Sequence, residues 1–113
     1  MSNEFPKVTV NDLASAISTE HYFTAAEGAR AAETPDHPGP GSGSPLEQLT
    51  ICVLTLVNGF TVMGTSACVD PRNFDPELGR TRARQKAVEQ LWPLLGFLLK
   101  DRVNGNTVKL EKL

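Results

Sequence analysis

Histidine and cysteine are both scarce, two of each in 113 residues, and their placing leaves little room for metal or thiol chemistry. His37 sits in a proline-rich run and His21 beside two aromatics, both far along the chain from Cys52 and Cys68. With no CxxC or HExxH spacing, no metal site is expected. The cysteines have small or apolar neighbours and read as reduced thiols, a disulfide being open only if the fold juxtaposes their strands. GxxxxGK[ST] and GxGxxG loops are missing, as is any serine–histidine pair in a nucleophile motif. No cofactor and no catalytic residue is therefore expected. The start of the chain lacks the basic and apolar regions of a signal peptide. No apolar run approaches the ~18 residues needed to cross a bilayer, so the reading is a cytoplasmic protein without a membrane partner. Excess positive charge is absent too: the formal net charge of −2 argues against general nucleic-acid binding.

What is present is ordinary globular material, 40% hydrophobic and 21% charged, of a length that suits a single domain, 1–113. Residues 8–18 carry Leu13, Ala16 and Ile17 at helical spacing, with Thr9 or Asn11 as cap. Glu20 to Thr24 suits a short strand or extended arm. Residues 34–45 are so rich in Pro, Gly and Ser that they read as a flexible loop within the domain. Two β-rich runs then flank Asn58-Gly59, the preferred type I′ hairpin turn, in which both central residues take positive φ. Val57 and Phe60 would face each other beside it. The first of these strands is apolar on nearly both faces, which suits a central position. Asp75, Pro76 and Glu77 open a helix running to about Leu91. Pro93 breaks or restarts it, with Trp92 pushed from α geometry as the cap of a second helix to about Asp101. Residues 107–110 suggest a last short strand or a frayed end. The class is α+β: a small antiparallel sheet containing a 49–65 hairpin, packed with two C-terminal helices and a short N-terminal one.

The segment from Arg72 to Ala87 carries the chemistry. Cations fall at 80, 82, 84 and 86; Arg80 and Arg84 share one helical face, and Arg82 and Lys86 another. Gly79, Ala83 and Ala87 form a stripe of small residues against which a helix, a strand or a ligand can lie closely. The cations read either as a solvated face or as an anion pocket, in which Arg80 and Arg84 hold phosphates by bidentate bonds. Phe74 either stacks on a base or staples the helix start.

Several motifs in fixed order then carry a resemblance. They are Asn58-Gly59-Phe60-Thr61-Val62, Ser66-Ala67-Cys68, Pro71-Arg72-Asn73-Phe74-Asp75, Trp92-Pro93-Leu94-Leu95-Gly96-Phe97, and Glu20 to Ala26 near the start. Over residues 19–28 and 47–103 the chain resembles a family of small tailed-phage proteins found in phages N4 and Sf6 and in prophages. The pattern also resembles the first-described type of Thoeris anti-defence protein. That resemblance implies a sponge, acting in the infected bacterial host, that binds cyclic ADP-ribose isomers, or CBASS-type cyclic oligonucleotides, without cleaving them. It implies homodimers or hexamers with pockets shared between protomers. It places ligand contacts at Phe74, Gly79, Arg80, Ala83 and Arg84, with Thr65 and Ser66 as hydrogen-bonding residues. Lys86 and Leu95 depart from the family's more usual asparagine and acidic residue. The alternatives are an inhibitor docking its arginine-rich helix on an acidic host protein, an enzyme degrading the same signals, and a phage accessory protein without a ligand.

Overall fold

Alternation along one strand sets the packing. In β2 (Leu49–Leu56), Thr50, Cys52, Leu54 and Leu56 are buried, while Leu49, Ile51, Val53 and Thr55 are half-buried. The buried set faces one long helix and the other set the opposite side of the sheet, as a period of two demands. The computed structural model describes residues 5–111. Its sheet is antiparallel in the order β1-β2-β3, with β1 at Ile17–Thr24 and β3 at Thr61–Ala67, so the doubly apolar strand is central, as its composition requires. Helix α1 (Val10–Ala16) precedes β1, α2 (Ala25–Ala31) follows it, and α3 (Pro76–Glu89) and α4 (Leu91–Asn104) close the chain. This is the α+β class, with the 49–65 hairpin, a short N-terminal helix and two C-terminal helices.

The ends of the elements follow from local chemistry. Thr9 caps α1 and bonds Asp12 reciprocally. Thr24 and Glu27 form the same capping box for α2, a helix the reading of the sequence lacked. Asp75 accepts from the N–H groups of Glu77 and Leu78 at the start of α3, satisfying two of its orphan donors.

Three expectations need correction. The hairpin turn is not type I′. Only Gly59 has positive φ, at 89°, and Leu56 donates its N–H to the carbonyl of Phe60. Residues 57–59 thus form a three-residue loop closed by a left-handed glycine, and Phe60 faces Leu56 rather than Val57. The chain does restart as a second helix, but the junction is Gln90 and not Trp92, which lies within α4. The proline occupies the first turn, where a missing N–H costs no intrahelical bond. Gln90, itself in α geometry, joins α3 to α4. Residues 107–110 form no strand.

Residues 34–45 are tied down at several points. Arg30 donates to the carbonyls of Pro40 and Gly41 and to Glu47, and Glu33 accepts from the N–H of Gly39. Cys52 and Cys68 are both free thiols. Among the described residues no helix is long and apolar enough to cross a membrane.

The core is small: Leu13, Cys52, Leu54, Leu56, Val62, Ala83, Ala87 and Leu91. Its closest approach is between α3 and β3. A Cβ at Gly64 would stand 2.1 Å from the Ala83 carbonyl oxygen and 2.4 Å from the Ala87 nitrogen. The small stripe of α3 therefore seats the helix backbone on a strand. Much apolar surface stays outside the core, including Phe60, Met63, Trp92 and Phe97.

Candidate functional site

The register of β1 on β2 pairs Tyr22 with Cys52, Glu20 with Leu54 and Thr24 with Thr50. This puts Glu20 and Tyr22 on the same face as α3, beside its N-terminal half. Two adjoining hollows result. The larger, about 470 Å³, is lined by Tyr22, Glu77, Arg80, Thr81, Arg84 and Gln85. The smaller, about 190 Å³, is lined by Tyr22, Phe23, Glu27, Thr50, Phe74, Pro76 and Arg80. Tyr22 and Arg80 belong to both, so the two form one surface depression. A third hollow, of about 50 Å³, lies on the other flank of Phe74 and includes Ser66, Gly79 and Arg82.

The two arginines expected to act alike differ. Arg84 grips Glu20 through two bonds, Nε to Oε1 at 2.9 Å and Nη2 to Oε2 at 3.2 Å. Tyr22 donates its hydroxyl to the same carboxylate at 2.7 Å. The Arg84 guanidinium, and after it the Tyr22 hydroxyl, hold the Glu20 carboxyl below its ordinary range. In return Glu20 keeps Arg84 charged. Burial, and then the Glu20 acceptor, push the Tyr22 phenol up, so it stays a neutral donor. Because Glu20 is depressed in the folded state, its contribution to stability is present above about pH 4.5, its ordinary value, and is lost as pH falls through the lower folded value. Arg80 is exposed and makes no ion pair or side-chain hydrogen bond among the described residues. Of Arg80 and Arg84, it is the one whose donors are open to an anion.

Beneath Phe74 and Arg80 lies Thr50, 3% exposed, whose Oγ1 has no hydrogen-bond partner among the described residues. A buried hydroxyl left unpaired costs roughly 1–3 kcal/mol. That oxygen lies 2.7 Å from where a Gly79 Cβ would be, so the glycine at 79 leaves room for it. The nearby Cys52 thiol is buried and its pKa raised by that burial, an environment that makes a thiol inert.

The expected site residues thus divide. Phe74 and Arg80 meet in the smaller hollow, and Arg80 and Arg84 in the larger. Gly79 and Ser66 lie on the far flank of Phe74. Ala83 is fully buried against the sheet and offers no surface to a ligand. Thr65 pairs with Ile51 on the sheet face opposite α3, away from the arginines. Glu20, Tyr22 and Thr50 were missed. All three sit at even spacing on strands, and only the register aligns them with α3. Among the described residues no cluster of potential metal ligands occurs.

Known proteins place the chain as follows. The model of a family described as phage protein (N4 Gp49/phage Sf6 gene 66) matches residues 8–103. No curated protein and no solved structure matches the chain.

Proposed function

From the premise that the chain belongs to the phage N4 Gp49/Sf6 gene 66 protein family, we propose that it binds and sequesters a cyclic nucleotide immune signal without cleaving it. The candidates are the cyclic ADP-ribose isomers of Thoeris and the cyclic oligonucleotides of CBASS-type immunity. One observation carries this reading: two aromatic rings, Phe74 and Tyr22, border a depression at whose junction Arg80 presents an unpaired guanidinium. A ring can stack on the aromatics, and a phosphate can take the bidentate fork of Arg80. The nearest thiol, Cys52, is buried with a raised pKa and so inert, which suits a binder that returns its guest intact. The mechanism is mass action: protein in excess lowers the free signal, so the effector stays off.

In this reading the working form is a homodimer or a larger ring of copies. Support comes from the apolar side chains left outside the core, among them Phe60, Met63, Trp92 and Phe97. A depression open on one protomer gains a lid when a second copy covers it, which shields the ion pairs within from water.

The test is a thermal-shift panel of purified protein against cyclic ADP-ribose isomers and cyclic di- and trinucleotides. At least one should raise the midpoint in a concentration-dependent way, as ligand binding to the native state requires. A flat response across the panel, with binding to an acidic host protein after all small molecules are removed, would favour the rival reading in which the arginine-rich helix docks on a protein.

A further inference from the structure

We propose that Thr50 is the inner polar contact of the ligand site, and that it selects the flat ring of the bound nucleotide; this rests on the nucleotide-binding reading above. Three features of the smaller hollow lead there. It is lined by Phe74, Tyr22 and Phe23, and its about 190 Å³ falls below the ~300–1,000 Å³ of sites that hold a whole ligand. It therefore suits one ring, with the sugar and phosphates in the adjoining hollow of about 470 Å³. Arg80 lies on the boundary between the two, where a ring ends and a phosphate begins. Thr50 lines the smaller hollow and is the one residue there with a fully buried polar atom lacking a partner among the described residues.

A ring edge carries both acceptors and donors, and a threonine hydroxyl serves either. In the free protein the hydroxyl faces the space that a side chain at Gly79 would fill, with no hydrogen-bond partner among the described residues. Contact with a bound ring requires a rotation about χ1 that brings the oxygen from beside Gly79 to the hollow. Gly79 makes both positions possible, because a side chain there would meet Oγ1 at 2.7 Å. A buried polar group that only the ligand satisfies discriminates strongly, since a ring lacking the complementary atom leaves it unpaired.

The experiment compares wild type with Thr50→Val and Thr50→Ser by calorimetric titration against the panel of cyclic ADP-ribose isomers and cyclic di- and trinucleotides. Valine keeps the shape and suits a strand. Serine keeps the hydroxyl. Thr50→Val should fold with an unchanged or raised thermal midpoint, because an unpaired hydroxyl has been removed, yet bind about tenfold more weakly. Thr50→Ser should stay within about threefold of wild type. Unchanged affinity in Thr50→Val, or equal losses in both variants, overturns the assignment while the nucleotide reading stands. A wild-type protein that binds no probe overturns that reading and the role of Thr50 together.

Discussion

Gly64→Ala should lower the thermal midpoint by about 12 °C. A Cβ at this position would press on the Ala83 carbonyl oxygen and the Ala87 nitrogen, which are backbone atoms of α3 and cannot rotate away. Relief requires lifting the helix from the sheet or bending β3. Overpacking of this kind costs about 3 kcal/mol, and each kcal/mol is worth about 4 °C at this chain length. The core that α3 seals comprises only eight buried side chains, among them Leu54, Leu56 and Leu91, so a helix lifted from the sheet uncovers much of it. Gly79 behaves differently. The same addition there meets the hydroxyl of Thr50, a side chain that can turn, and alanine is about 1 kcal/mol better than glycine in a helix. Thermal unfolding followed by circular dichroism checks the expectation. A Gly64→Ala midpoint within 2 °C of wild type would show that α3 does not rest on β3 as described.

Arg80→Glu should weaken nucleotide binding by about 100-fold while leaving the fold intact. The side chain is exposed and without an ion pair among the described residues, so its replacement should move stability by no more than about 0.5 kcal/mol. Its loss from a phosphate removes charge-assisted bonds worth about 1.5–3 kcal/mol, and the new carboxylate adds repulsion. Arg84 is a less clean probe. Removing it also releases Glu20, whose carboxylate would then face the same anion. Titration calorimetry on wild type and Arg80→Glu, with the free proteins melted in parallel, separates binding from folding. Equal affinities would take the anion away from Arg80.

Much of the scaffold was legible because its signals are local. Asn58-Gly59 marked the hairpin, although one closing glycine rather than two left-handed residues makes the turn. Asp75-Pro76-Glu77 marked the start of α3 to the residue. The second helix was lost despite a readable sign: Thr24 with Glu27 is a capping box, and the aromatic run before it and the proline-rich run after it drew the reading toward extended chain. Trp92-Pro93 marked the restart into a second helix but placed its cap two residues too late, at Trp92 instead of Gln90. A proline breaks a helix interior but not a first turn, and the sequence alone did not show which of these it was. The stripe of Gly79, Ala83 and Ala87 announced a close approach but not its partners, which are Thr50 of β2 at Gly79 and Gly64 of β3 at Ala83 and Ala87.

The candidate site was half visible. Phe74 and Arg80 come from one stretch of chain and meet as expected. Glu20, Tyr22 and Thr50 come from two other strands, brought in by pairing at a register that no short window of sequence contains. The ion pair between Glu20 and Arg84, 64 residues apart, changes what Arg84 can offer a ligand.

The central claim is that the depression around Arg80 holds a cyclic nucleotide and releases it unchanged. The most direct measurement is to saturate the protein with cyclic ADP-ribose isomers and cyclic oligonucleotides, remove unbound ligand by gel filtration, denature the complex by heat and weigh the released material by mass spectrometry. The account predicts stoichiometric recovery of the intact ring. A linear or hydrolysed product, or no nucleotide retained at all, would contradict it.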